Sequence, residues 1–124
     1  MAKRFALVIV FTALASAAHA TETTEDRACN ARFAAAARYL KSASPEWIAM
    51  AHHSMDLNRK YPEDFTDDQV DAAKTRHRQD MDFVLGQIKS GALTIEQVFA
   101  DVNACETRLG WPVTTLTVGR VPSD

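Results

Sequence analysis

The stretch "LTIEQVFADVNACETRLG", from Leu93 to Gly110, predicts one complete amphipathic helix with both of its ends and one cysteine. Thr94 can cap the backbone at Gln97 while the Gln97 side chain reaches back to Thr94, which is the reciprocal pattern of a capping box. Gly110 supplies the expected stop. Apolar residues recur at helical spacing along one face, at Ile95, Val98, Val102, Cys105 and Leu109.

Cys105 has a single candidate partner, because Cys29 is the only other cysteine of the chain. Cys29 lies in a second predicted helix, from Asp26 to Ser42. An isolated pair of cysteines in an oxidising compartment favours a structural disulfide. The chain-entropy model gives a cross-link over this length of chain about 4.5 kcal/mol of stabilisation. The other apolar residues on the face of Cys29 are Phe33, Ala36 and Leu40.

A third helix is predicted from "SPEW". Ser44 is a good N-cap, and Pro45 occupies the first helical position, where no backbone N–H is needed. The helix should end between Asn58 and Lys60, since Pro62 disfavours helical geometry in the residue before it.

The start "FTDDQV" is a second capping box, formed by Thr66 and Gln69. It predicts a helix that ends at Ser90, where Gly91 follows. The apolar stripe of this helix consists of Val70, Ala73, His77, Met81, Val84 and Ile88.

Four amphipathic helices with short links predict an all-α, up-down-up-down four-helix bundle over residues 21–110. That topology brings Cys29 and Cys105 to the same end of the bundle. Residues 111–124 are predicted to form an extended tail, because Pro112 stops the helix and β-prone residues follow. The tail either lies across the bundle, anchored by Trp111, or offers a strand to the sheet edge of a partner.

The first 20 residues have the pattern of a cleaved signal peptide. Lys3 and Arg4 precede an apolar run, and Ala18-His19-Ala20 forms a small-x-small cleavage site. The run of about 11 apolar residues is shorter than the roughly 20 that a membrane span needs. We therefore expect a periplasmic or secreted protein with no membrane anchor.

The charge balance excludes one class of partner. Without Lys3 and Arg4, the remaining 12 basic and 16 acidic residues give a net charge of −4. No basic cluster is present, so the sequence argues against nucleic-acid binding, which requires Lys and Arg to neutralise phosphates. It equally argues against docking on anionic lipid.

Five acids fall within nine residues at the start of the helix that begins with "FTDDQV", a region we call the acidic segment. Carboxylates favour the positive end of a helix dipole, which accounts for part of the cluster. The remainder predicts a surface for a cationic partner, and the tail from Trp111 is predicted to be a second partner-binding surface. The acids are Glu63, Asp64, Asp67, Asp68 and Asp71.

The string "AMAHHSMDL", residues 49–57, suggests a metal site. On a helix, however, His52 and His53 diverge by about 100° on the polar side, so both cannot bind one ion. Met50 and Met55 fall on the side predicted to be buried. His52 and Asp56, four residues apart, remain as half of a possible metal site; in the alternative, both histidines are solvated and His52 pairs with Asp56.

His77 interrupts the apolar stripe of its helix. It is either a satisfied interior polar group or a pH-responsive residue, because burial disfavours the protonated imidazole.

No motif in the chain indicates catalysis or a cofactor, so we do not expect an enzyme. The sequence favours an exported protein that binds another protein, such as an inhibitor or immunity-type protein against a cationic cell-wall enzyme. The alternative is a metal-handling or acid-stress, chaperone-like protein that uses the histidines. For that second class, "FTDDQ" and "LTIEQ" resemble the LTxxQ repeats of the periplasmic Spy and CpxP group, over those residues alone.

Overall fold

The computed structural model describes residues 23–58 and 63–123, and within them the chain forms four α-helices and no strand. The predicted all-α class is therefore confirmed. None of the described helices is long and apolar enough to cross a membrane. The predicted signal peptide, residues 1–20, lies outside the described residues. The helices are α1 (Thr24–Ala37), α2 (Pro45–Asn58), α3 (Asp67–Ser90) and α4 (Ile95–Leu109).

The helix ends follow the local sequence closely. Capping boxes are present at both Thr66 and Thr94. In each, the threonine hydroxyl accepts from the backbone N–H of the glutamine three residues later, and the glutamine side chain accepts from the backbone N–H of the threonine. Gly91 and Gly110 end α3 and α4 in the left-handed conformation that glycine adopts without a steric penalty. The hydroxyl of Ser44 accepts from the backbone N–H of Trp47 at 3.2 Å, as expected of an N-cap.

The predicted bounds of α1 were wrong at both ends. The helix begins at Thr24 because the Thr23 hydroxyl caps Asp26. It stops at Ala37 rather than Ser42, where the next three backbone N–H groups bond to carbonyls three residues back instead of four. Beyond this turn, the carbonyl of Tyr39 accepts from the N–H of Gly119 at 2.8 Å, so the C-terminal segment contacts the chain just after the helix end.

Helix α1 lies at the centre of the molecule and packs against each of α2, α3 and α4. Its small side chains allow this, because Ala31, Ala35 and Ala36 are buried and let neighbouring helices approach closely. The predicted stripe is buried too, with Phe33 and Leu40 fully enclosed. Burial on several sides of α1, rather than along one stripe, explains why three partners fit around a 14-residue helix.

Polar contacts tie α1 to each neighbour. Arg27 forms a two-pronged ion pair with Asp80 of α3, at 2.9 Å for each bond. The buried Asn30 donates to Asn58 of α2 at 2.9 Å and accepts from Ser54 at 2.6 Å. Each of these polar groups is hydrogen-bonded to another group of the protein. The free-energy cost of removing it from water is therefore smaller than that of an unpaired polar group.

The predicted disulfide between Cys29 and Cys105 is present, with the two Cα atoms 5.8 Å apart. Arg108 reinforces the same junction of α1 with α4, because its guanidinium donates to the nearly buried Asp26 at 2.8 Å. The covalent and ionic links join the start of one helix to the end of the other. The up-down-up-down order of the whole bundle stays a prediction.

Candidate functional site

The most enclosed polar group of the described residues is the carboxylate of Glu106 on α4, whose exposed fraction is 0%. Asn103, one turn earlier, donates to Oε1 at 2.9 Å. From α2, Nε2 of His53 lies 2.8 Å from Oε2 and is the donor, because an ionised carboxylate only accepts. Thr114 donates twice, from its backbone N–H to Oε1 at 3.0 Å and from its hydroxyl to Oε2.

Aromatic rings close the site on the side of His53. The imidazole stacks on the Trp111 ring with centroids 4.4 Å apart and an interplanar angle of 22°. Phe33 of α1 lies 4.9 Å from the same imidazole and is fully buried. The carboxylate and its hydrogen bonds are thereby shielded from water, which strengthens each bond.

The pKa of Glu106 lies below its ordinary value of 4.5. Burial acts in the opposite direction and raises the pKa, because it penalises the charged form. The hydrogen bonds from the backbone and hydroxyl of Thr114, from His53 and from Asn103 together outweigh that effect. Glu106 is therefore ionised in the folded protein near neutral pH.

The site holds the C-terminal segment, residues 111–123, against the helices. The backbone N–H of Trp111 donates to the backbone carbonyl of Glu106 at 2.9 Å, and the Asn103 side chain donates to the Thr114 carbonyl at 3.0 Å. Farther on, Gly119 reaches Tyr39 at the end of α1. The segment belongs to no helix or strand, and its contacts with the first helical region run from Phe33, whose ring centroid lies 6.0 Å from that of Trp111, to Tyr39.

Glu106 and His53 resemble a general acid–base pair in composition, but their arrangement serves a different purpose. Both carboxylate oxygens already accept two bonds each, and the carboxylate has no exposed surface. A substrate atom would have to displace one of these donors to reach it. The geometry supports a buried anchor for residues 111–123.

The structure corrects the predicted roles of two residues in "AMAHHSMDL". His53 is not solvated, because its side chain is only 14% exposed and bonds to Glu106. Met55 is not buried but 49% exposed. For His53 the cause is the C-terminal segment, which brings Trp111 over the face of α2 that was predicted to be solvated. Met50 is buried, as predicted, and His52 is exposed.

The predicted metal and pH-sensing residues lie on two different helices. His52 and Asp56 are both exposed on α2, whereas His77 is half-buried on α3. Across residues 23–58 and 63–123, no three His, Cys, Asp or Glu side chains are grouped so that they could hold a metal ion. The metal and pH-sensing roles stay predictions.

All five acids of the acidic segment are exposed, with Glu63 and Asp64 before α3 and the other three on its first turns. Trp111, predicted to bind a partner as part of the tail, is half-buried and stacks on His53. Glu106 was missed, although a signal was present. It stands four residues after Val102 and three before Leu109, within the apolar stripe of α4, as His77 does on α3.

Comparisons with known proteins give no relative for this arrangement. The chain matches no protein-family model, and neither a curated protein nor a solved structure shows significant similarity to it.

Proposed function

We propose that this protein is exported and acts by binding another protein through the acidic segment, with a cationic cell-wall hydrolase as the class of partner. The frame would be the up-down-up-down bundle with its C-terminal residues extended along it. The observation that supports the proposal is that all five carboxylates are exposed on one short stretch, Glu63 to Asp71.

The negative charges of this stretch suit it to bind a cationic partner. None of the five acids forms an ion pair with another residue of the described chain, so their charge is available to a partner. In contrast, Asp26, Asp80 and Asp101 are held by arginines within the fold. Like charges grouped on a surface raise the rate of encounter with an oppositely charged protein.

The proposal is tested by titrating cationic cell-wall hydrolases with the purified protein and measuring residual lysis of a cell-wall suspension. We expect inhibition that weakens as salt rises, because surface charges are screened over about 8 Å at physiological ionic strength. An acidic hydrolase is the control for charge and should be unaffected.

Two variants of equal charge locate the surface. Asp67→Asn with Asp68→Asn and Asp71→Asn removes three charges from the acidic segment. Glu25→Gln with Asp82→Asn and Glu96→Gln removes three exposed charges elsewhere, two of them also in first helical turns. Loss of inhibition in the first variant alone supports the proposal, and equal inhibition by both variants refutes the assigned surface.

Export is tested separately by mass spectrometry of the protein recovered from the periplasm or the medium. The expected mass is that of a chain beginning at Thr21. An intact chain beginning at Met1 and retained in the cytoplasm would refute the export part of the proposal.

A further inference from the structure

A cleft of about 650 Å³ lies where the ends of α1 and α3 meet the end of the C-terminal segment. The cleft is lined by Arg38 and Tyr39 just after α1, by Leu85, Gly86 and Ile88 on α3, and by residues 121–123 on the third side. Its volume falls within the range of roughly 300–1,000 Å³ that is typical of small-molecule sites.

The floor of the cleft is apolar and fixed. Leu85 and Ile88 are half-buried and pack against the core, so their positions are set by the fold. Val121 faces them and is 76% exposed. These three side chains offer a hydrocarbon or an aromatic body a surface that the protein itself leaves uncovered.

The charges that line the cleft favour an anion. Arg38 directly follows α1 and Lys89 is on α3, and Asp82 is the single acid among the described residues that line the cleft. These described lining residues are therefore net positive, in a chain whose formal net charge is −2. The Arg38 guanidinium has no ion pair with any residue in the described ranges, so its charge can complement a ligand.

Gly86 supplies an independent observation. Glycine inside a helix is less favourable than alanine by about 1 kcal/mol, and Gly86 lies within α3. Neither packing nor backbone geometry requires it, because a Cβ there would meet no atom within 4 Å and its φ is not positive. Any longer side chain at this position would instead enter the cleft that Gly86 lines.

We propose that this cleft binds a small amphiphile with one anionic headgroup and an apolar body. The headgroup lies against Arg38, and the body lies over Gly86 against Leu85 and Ile88. This site is independent of the proposed protein-binding surface. The acidic segment is at the other end of α3, whose 24 residues span about 36 Å.

The first test titrates the purified protein with decanoate and follows backbone amide signals by NMR. We expect saturable one-to-one binding with Kd below about 1 mM, and shifts centred on Leu85, Gly86 and Val121. Decyltrimethylammonium has the same body with the opposite charge and should bind at least about tenfold more weakly. Decyl phosphate, tested beside decanoate, distinguishes a carboxylate from a phosphate headgroup.

Two substitutions with matched controls test the geometry. Gly86→Leu fills the cleft and should weaken decanoate binding by about tenfold or more, with no loss of thermal stability, because it also removes a helical glycine. Gln79→Leu adds the same side chain to an exposed position of α3 outside the cleft and should leave binding unchanged. Arg38→Gln should weaken binding by about fivefold, whereas Arg78→Gln, an equal loss of charge, should not.

The proposal is overturned if decanoate shows no saturable binding up to about 5 mM, or if the cationic probe binds as tightly. It is also overturned if folded Gly86→Leu protein binds decanoate as tightly as the unmodified chain.

Discussion

Glu106 and the acidic segment contain the same functional group in opposite surroundings. Glu106 is fully buried and its two carboxylate oxygens accept four hydrogen bonds, whereas the five acids from Glu63 to Asp71 are exposed. A cluster of acids is conspicuous in the sequence, yet each member contributes little to stability. A single acid within an apolar stripe is inconspicuous, yet the packing of α2, α4 and the C-terminal segment depends on it.

The largest expected effect is that of Glu106→Ala. The substitution removes the acceptor of four hydrogen bonds from the half-buried residues His53, Asn103 and Thr114. Asn103 keeps its bond to the Thr114 carbonyl, whereas the donors of His53 and Thr114 lose the acceptor that they share. We expect a loss of about 3 kcal/mol or more in the free energy of unfolding, measured by urea denaturation. A loss below about 0.5 kcal/mol would show that the carboxylate is dispensable, which would remove the contrast with the acidic segment.

A smaller effect is expected for Thr114→Val, which removes one hydroxyl and preserves the shape of the side chain. The backbone N–H of Thr114 still bonds to Glu106, so only the hydroxyl bond to a charged acceptor is lost. We expect a loss of about 2 kcal/mol in the free energy of unfolding. Thr115→Val, at the exposed neighbouring position, is the matched control and should change stability by less than about 0.5 kcal/mol.

The pH dependence of unfolding separates the two kinds of carboxylate further. Because the pKa of Glu106 is lowered on folding, its contribution is fully present above its ordinary value of 4.5 and is lost as the pH falls through the lowered value. Glu106→Gln should cost about 1 kcal/mol at neutral pH and flatten the loss of stability below pH 4.5. Unfolding midpoints measured between neutral pH and strong acid test this, and parallel curves for the two proteins would contradict it.

The smallest effect is expected at Asp68 and Asp71, both exposed on the first turns of α3. Replacing either with Asn removes a favourable interaction with the helix dipole and little else. We expect a loss of about 0.5 kcal/mol or less, reduced further by salt. Thermal unfolding at low and high ionic strength provides the measurement, and a loss comparable to that of Thr114→Val would show a structural role for these acids.

The sequence predicted the local structure well because the signals for helix ends are themselves local. Thr66 and Thr94 each lie three residues from the glutamine that completes the capping box, so the pairing needs no knowledge of the fold. The disulfide was also predictable, since two cysteines permit a single pairing. The end of α1 was not, because no glycine or proline marks it between Ala37 and Ser42, and the Gly119 that contacts Tyr39 there is 80 residues farther along the sequence.

The buried site was predictable only in part. Glu106 could have been recognised as an acid within an apolar stripe. Its partner His53 could not have been recognised, because the geometry of α2 alone puts His53 on the polar side of that helix. The side of a helix that faces solvent is decided by what packs there, and Trp111 covers His53 from a distant part of the chain.

The route of the C-terminal segment has a consequence for how the molecule is made. Thr114 lies eight residues after Glu106, whose carboxylate accepts its hydrogen bonds, and Cys105 is 76 positions from Cys29. A nascent polypeptide that does not yet include Thr114 would have to bury a carboxylate lacking two of its donors, which opposes early compaction. The helices are thus expected to pack around Glu106 only after Thr114 has been synthesised, so the position of these donors along the chain sets the order of folding events.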